Sequence, residues 1–334
     1  MKKLKVGLIG GGSWGTTVAS LTSTNCPTRM WARNANTCDE INKHHRNEKY
    51  LPGAKLHPNL KASTSLQETC QDADLIIMGV PAQCFRAVLK DASPHIRPWV
   101  PIISLSKGLE KGTKMRMTEI IESTMPSHPA GVLSGPNLAR EIIAGQAAAS
   151  VVAMVDDNLA RRVQKVFNTG LFRVYTNDDV IGCEIGGALK NIIAIAAGMG
   201  DGAGAGANTR SAVITRGLAE LTRLGVAMGG KPLTFSGLAG LGDLIATCSS
   251  PLSRNRTVGF ELGKGRKLKS IIDEMSMVAE GVKSITAVME LAADYGVDMP
   301  ISREVYKVIH EDNTVLDAFR GLIRTESGHE SEPG

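Results

Sequence analysis

Pairable cysteines are missing from this chain. Cys26, Cys38, Cys70, Cys84, Cys183 and Cys248 show no paired spacing, no CxxC and no Cys/His cluster. That argues against a disulfide framework and against a zinc site. His44, His45 and Arg46 are consecutive, and neighbours on a helix point apart, so no metal site is expected there either. Aromatics are scarce, at 4%, and the net charge of +5 is spread without a basic block. Nucleic acid is therefore a poor partner, and small anions are a better one. No apolar stretch reads as long enough to span a bilayer. The start, Met1-Lys2-Lys3, leads into a strand broken at Gly10, Gly11 and Gly12, not into a signal peptide. A cytoplasmic protein with reduced thiols is the expectation.

What is present is glycine, 36 residues of it, in a chain of 334, a length that favours two domains. The first half alternates strands and helices, which implies an α/β Rossmann-type doubly wound sheet. Lys5–Ile9 reads as a strand, Gly10-Gly11-Gly12-Ser13-Trp14-Gly15 as a turn, and a helix follows. Gly10, Gly12 and Gly15 fit the dinucleotide fingerprint in its strand–turn–helix setting. The bland alternative is a glycine turn that binds nothing. The second strand ends at Arg33-Asn34, where an NAD-preferring site would carry an acid. Arg33 could meet a 2′-phosphate, so NADP(H) is expected, with NAD(H) also accepted; a solvated or adenine-stacked Arg33 is the alternative. Further strands are expected at 74–80, 101–105, 131–134, 147–155 and 172–175. Lys107 falls at the carboxyl end of one of them, the ligand-binding edge of such sheets. Gly135 allows close backbone approach just before another helix.

From about residue 180 the pattern is helical, giving an expected dinucleotide-binding domain over 1–180, a helical domain over 181–325 and a polar tail over 326–334. The stretch Glu184–Ile193 reads as the start of a small, apolar helix into which Lys190 and Asn191 are set. Keeping a lysine charged there costs energy, which favours acid/base work over the alternative of a lysine snorkelling to solvent. Gly198–Gly206 reads as a flexible loop closing over ligand. Arg216 and Glu220 read as an exposed i, i+4 pair, with Arg210 as a further ligand contact. Asp243 is one carboxylate in an apolar, glycine-rich stretch, a partner for Lys190 or else a helix N-cap. Arg254 and Arg256 open a helix, where they oppose its dipole unless an anion binds or solvent takes them.

In order and spacing, Gly10–Thr16, Gly79-Val80-Pro81, Ser106-Lys107-Gly108, Ser134-Gly135-Pro136, Gly187–Asn191, Gly237–Asp243, Ser253–Arg256 and Glu280-Gly281 resemble bacterial NAD(P)-dependent glycerol-3-phosphate dehydrogenase. The resemblance runs from the first strand to about residue 310. It implies reduction of dihydroxyacetone phosphate to sn-glycerol 3-phosphate, for phospholipid synthesis, with Lys190 as acid/base. It implies substrate contacts at Lys107, Gly135, Asn137, Asp243, Ser253, Arg254 and Asn255. It implies cofactor contacts at Ser13, Trp14, Arg33, Lys107, Ala139, Arg254, Val278 and Glu280. Position 137 carries Asn where the family more often has Ser or Thr, and residues 24–28 lack its usual Gly-His pair. Hydride transfer is expected in the crevice between the domains, with Asp243 orienting Lys190 and Arg254 and Asn255 gripping the phosphate. Helical second domains of this kind often pair, which allows a homodimer. The rivals are a hydroxyacid or 6-phosphogluconate-type dehydrogenase and a non-catalytic NADPH sensor.

Overall fold

The computed structural model describes residues 3–275 and 279–324, so Val278 and the expected tail lie outside the described residues. Two compact units form. One takes the chain up to Lys107 together with Met115–Val180; the other takes Gly108–Lys114 and the described residues from Ile181 onward.

The first unit is built on one eight-stranded sheet: β1 (Val6–Ile9), β2 (Thr28–Trp31), β3 (Lys61–Ser63), β4 (Leu75–Met78), β5 (Ile102–Ser104), β6 (Ala130–Ser134), β7 (Ala148–Met154) and β8 (Phe172–Asn177). The order is β3-β2-β1-β4-β5-β6-β7-β8. All neighbours are parallel except β6 and β7, which run antiparallel. Successive side chains on a strand point to opposite faces. Leu8, Ile77 and Ile103 therefore enter one core with Val18 and Phe167. Their neighbours Ile9, Ile76 and Ile102 enter the other with Phe85, Leu89 and Ile120. Helices cover both faces, as the unbroken apolar runs of the central strands require. The three-residue β3, which the sequence reading does not include, is an edge strand paired only with β2.

The second unit surrounds the helix Val180–Gly202. By length and composition this helix could cross a bilayer, contrary to the sequence expectation, but it is almost wholly buried inside the unit. Ile185, Leu189, Ile192 and Ile195 belong to its core. A helix that is apolar all round must find cover all round. Ala207–Ala227, Arg254–Gly263 and Glu280–Asp294 are among the helices whose buried side chains share that core. The glycines of 198–202 correct the loop reading, because they are helical. A Cβ on Gly198 would lie 2.1 Å from the carbonyl oxygen of Arg256, and one on Gly202 2.1 Å from that of Phe260. Opposite them, a Cβ on Gly259 would lie 2.0 Å from the carbonyl oxygen of Ile195. The two helices thus touch backbone to backbone. Glu220 corrects a second reading. It is 1% exposed, and its carboxylate accepts from the N–H groups of Ile301 at 2.5 Å and Ser302 at 3.1 Å and from the Ser302 hydroxyl at 2.8 Å. It caps the helix Pro300–His310 from another helix, supplying acceptors for N–H groups that lack intrahelical partners.

Candidate active site

In the first unit the glycine turn is shaped by close contacts. Gly10 has φ +130° and a Cβ there would sit 2.4 Å from the Gly79 carbonyl oxygen, while one on Gly15 would sit 2.2 Å from the carbonyl oxygen of Gly10. Apart from its chain neighbours, no described residue lies within 4 Å of where a Gly12 side chain would start. The helix Ser13–Asn25 begins there with Gly12 as its N-cap and no side-chain cap. Its first N–H groups follow a turn of glycines open at Gly12, which fits a pyrophosphate. Thr17 Oγ1 donates to the Ala139 carbonyl at 3.4 Å, tying this helix to Ala139–Ile143. Trp14 packs edge-on against Phe172 with ring centroids 6.2 Å apart, and its indole N–H is buried without a partner. Arg33 is exposed at the end of β2, beside Asn34, whose side chain caps the next helix.

Lys107, just past β5, donates from Nζ to the Gly135 carbonyl at 2.8 Å. Gly135 has φ +138°, and a Cβ there would come within 3.0 Å of Ser150 Cα, so the turn after β6 admits glycine most easily. Both amide atoms of Asn137 are buried and unpartnered. A buried amide with neither donor nor acceptor used is costly unless something else pairs with it.

In the second unit the long helix and the turn before Asp243 approach closely. A Cβ on Gly186 would lie 2.6 Å from the Ala239 carbonyl oxygen. That turn, Leu238–Gly242, is π-helical and runs into the helix Asp243–Ser249; such turns recur at functional sites. It delivers Asp243 to Lys190. Lys190 Nζ lies 2.5 Å from Asp243 Oδ1 and donates to Thr247 Oγ1 at 2.7 Å. The two side chains are 7% and 2% exposed, so Lys190 does not snorkel to solvent. Thr247, one turn after Asp243, in turn donates to the Asp243 carbonyl at 2.6 Å. Sequence reasoning missed Thr247; its i+4 spacing from Asp243 was the available signal. Cys248 adjoins this pair, but burial pushes its thiol up to about 12, so it stays protonated.

The helix Arg254–Gly263 opens with the two arginines, as expected, and is capped by Ser253, whose Oγ accepts from the Arg256 N–H at 3.3 Å. Asn255 Nδ2 donates to Asn191 Oδ1 at 2.9 Å, and its Oδ1 accepts from the Gly281 N–H at 3.0 Å. Asn191 thereby joins the site, next in sequence to Lys190. Arg254 presents an exposed residue. Crowding by protein atoms lowers its guanidinium below the usual arginine value, and Glu280 opposes that; it remains a cation at any working pH. Glu280 opens its own helix, so a carboxylate and a guanidinium each stand at a helix start. Arg210 does not stand ready for a ligand: its Nε donates to Asp201 Oδ1 at 2.8 Å. Among the described residues no three of His, Cys, Asp and Glu gather as a metal site.

A glycine cradle on a doubly wound sheet, followed by a helical unit with a buried lysine–aspartate pair, defines a nicotinamide-dependent dehydrogenase of the two-unit kind. Residues 5–160 match the model of the NAD-dependent glycerol-3-phosphate dehydrogenase N-terminus, and residues 179–320 that of its C-terminus. The chain belongs to this family. It is 61% identical to glycerol-3-phosphate dehydrogenase [NAD(P)+] 2 of Sphingopyxis alaskensis, over 99% of this chain and 100% of that one. It is 54% identical to the Mycobacterium avium glycerol-3-phosphate dehydrogenase [NAD(P)+], over 99% and 97%. The crystal structure of glycerol-3-phosphate dehydrogenase from Coxiella burnetii superposes with a TM-score of 0.92 at 35% identity, covering 96% of this chain and 99% of that one.

Proposed function

We propose that this chain reduces dihydroxyacetone phosphate to sn-glycerol 3-phosphate, reversibly, with NADPH preferred and NADH accepted, in the cytoplasm and toward phospholipid synthesis. The observation that carries the reading is Lys190, the one ammonium in an otherwise apolar stretch, held by Asp243 at 2.5 Å and Thr247 at 2.7 Å. A nicotinamide dinucleotide held by its pyrophosphate at the glycine cradle would supply the hydride. Lys190 as ammonium stabilises the carbonyl oxygen as negative charge builds on it, and protonates it. In reverse, the neutral amine takes the alcohol proton. Asp243 balances and aims the ammonium, and with Thr247 taking a second hydrogen the direction of the remaining one is fixed.

Arg254 and Asn255 hold the phosphate at the helix start that Ser253 caps. Lys107, Gly135 and Asn137 line the rest of the substrate site, with the idle Asn137 amide available to a hydroxyl or carbonyl. Ser13, Trp14, Arg33, Ala139, Arg254 and Glu280 hold the dinucleotide, and Val278 belongs to the same set by resemblance. Fixing the phosphate places the reacting carbon, which lowers the entropic barrier. We also propose a homodimer, which light scattering at several concentrations tests.

The deciding assay follows NADPH oxidation with dihydroxyacetone phosphate against 3-keto acids. Turnover only with the phosphate ester is expected; preference for a keto acid would sink the reading. Arg33→Asp is expected to erase the NADPH preference, and an unaltered ratio of the two cofactors' KM values would show that Arg33 does not read the 2′-phosphate.

A further inference from the structure

Two arginines stand in the first turn of the helix Arg254–Gly263, yet they are treated differently. Arg256 is turned to Asp201, with Nε 3.0 Å and Nη2 2.6 Å from Oδ2. Arg210, from a third helix, takes the other oxygen: Nε lies 2.8 Å and Nη2 2.6 Å from Oδ1. The Asp201 side chain is 5% exposed, that of Arg256 18% and that of Arg210 37%. Arg256 also lies over the Phe260 ring, 6.0 Å from its centroid. A buried carboxylate needs such partners, since leaving it uncompensated is expensive.

The arrangement also has a consequence for anions. Even with Ser253 capping the Arg256 N–H, the start of that helix keeps the positive end of its dipole and attracts a phosphoryl group. With both arginines available, a phosphate would find two cations two residues apart and more than one way to bind. Asp201 removes one of them.

We propose that Asp201 is a specificity-determining positioning residue: by holding Arg256 and Arg210 it keeps the second arginine of the turn away from anions, so that a phosphoryl group meets Arg254 in a single register. This rests on the reading of Arg254 as the phosphate contact. Asp201 acts through the two arginines it holds.

The experiment uses the full chain, with inorganic phosphate as the probe, measured by calorimetry and as an inhibitor competing with dihydroxyacetone phosphate. In Asp201→Asn, Arg256 is released; phosphate affinity is expected to rise about fivefold, the scale of a partly exposed ion pair, while kcat falls and inhibition by excess substrate appears. Adding Arg256→Gln to that variant returns phosphate affinity to the starting value. Arg256→Gln alone leaves phosphate affinity unchanged, whereas Arg254→Gln lowers it. A merely structural Asp201 would lower melting temperature and activity together with no gain in phosphate binding, and that result overturns the proposal. So does a loss in Arg256→Gln equal to that in Arg254→Gln. If Asp201→Asn does not fold, the two arginine variants decide the matter between them. Should the unmodified chain fail to turn over dihydroxyacetone phosphate, the proposed function fails, while the calorimetry still reports on Asp201.

Discussion

Thr247 sits one helical turn after Asp243, and that spacing lets a single ammonium be held from two sides. Removing the ammonium and removing its hydroxyl partner should have different costs. Lys190→Ala is expected to lower kcat by at least about a thousandfold, since it deletes both the proton donor and the cation facing the oxyanion. NADPH binding, followed by fluorescence, should persist; normal turnover would remove the mechanism. Thr247→Val keeps the charge and loses only direction, so a loss in kcat of about tenfold is expected with KM nearly constant. Arg254→Ala should instead raise KM for the phosphate ester, and an unchanged KM would place the phosphate elsewhere.

Glu220 supplies a test away from the chemistry. Burial raises its carboxyl from 4.5 to about 6, opposed by the Ile301 and Ser302 hydrogen bonds and by Arg223. A carboxyl with its folded value above its unfolded value binds its proton more tightly when folded. Its contribution is therefore present below about 4.5 and lost as pH rises through about 6, a change on the order of 2 kcal/mol. Melting curves of Glu220→Gln should lack that part of the pH dependence; an identical profile would show that another group titrates.

At the scale of elements, helix contact explains both what sequence reveals and what it hides. Gly198 and Gly259 sit where two backbones meet. Gly198→Ala or Gly259→Ala should each destabilise by about 2 kcal/mol or more, because backbone cannot yield as a side chain can; unaltered melting would contradict the packing. A run of glycines between polar residues signals a loop equally well, so the helical reading of 198–202 could come only from its partner helix. The central strands, by contrast, were legible because four or five consecutive apolar residues between turn signals have few other uses. β3 was not, because three residues at an edge, one of them Lys61, carry no period. Lys190 and Asp243 stood out because a charge in an apolar stretch asks for a partner. Glu220 was misjudged by the same logic applied too locally: Arg216 is near in sequence, while the N–H groups that use the carboxylate lie about eighty residues on.

At the scale of the molecule, the partition does not follow sequence order. Residues 108–114 belong to the second unit, where Leu109 is 1% exposed in the core and Lys114 pairs with Asp294. A fragment beginning at Ile181 would lack that side chain and should melt less cooperatively than the same fragment supplied with a peptide spanning 108–114; equal cooperativity would show that the segment is dispensable.

The seven borrowed residues also limit how such proteins can be recombined. A hybrid joined at a single crossover near residue 180 inherits Leu109 from one parent and the cavity that receives it from the other. Exchanging whole units between relatives would then call for two further joints, on either side of 108–114, so that plug and socket descend from the same parent.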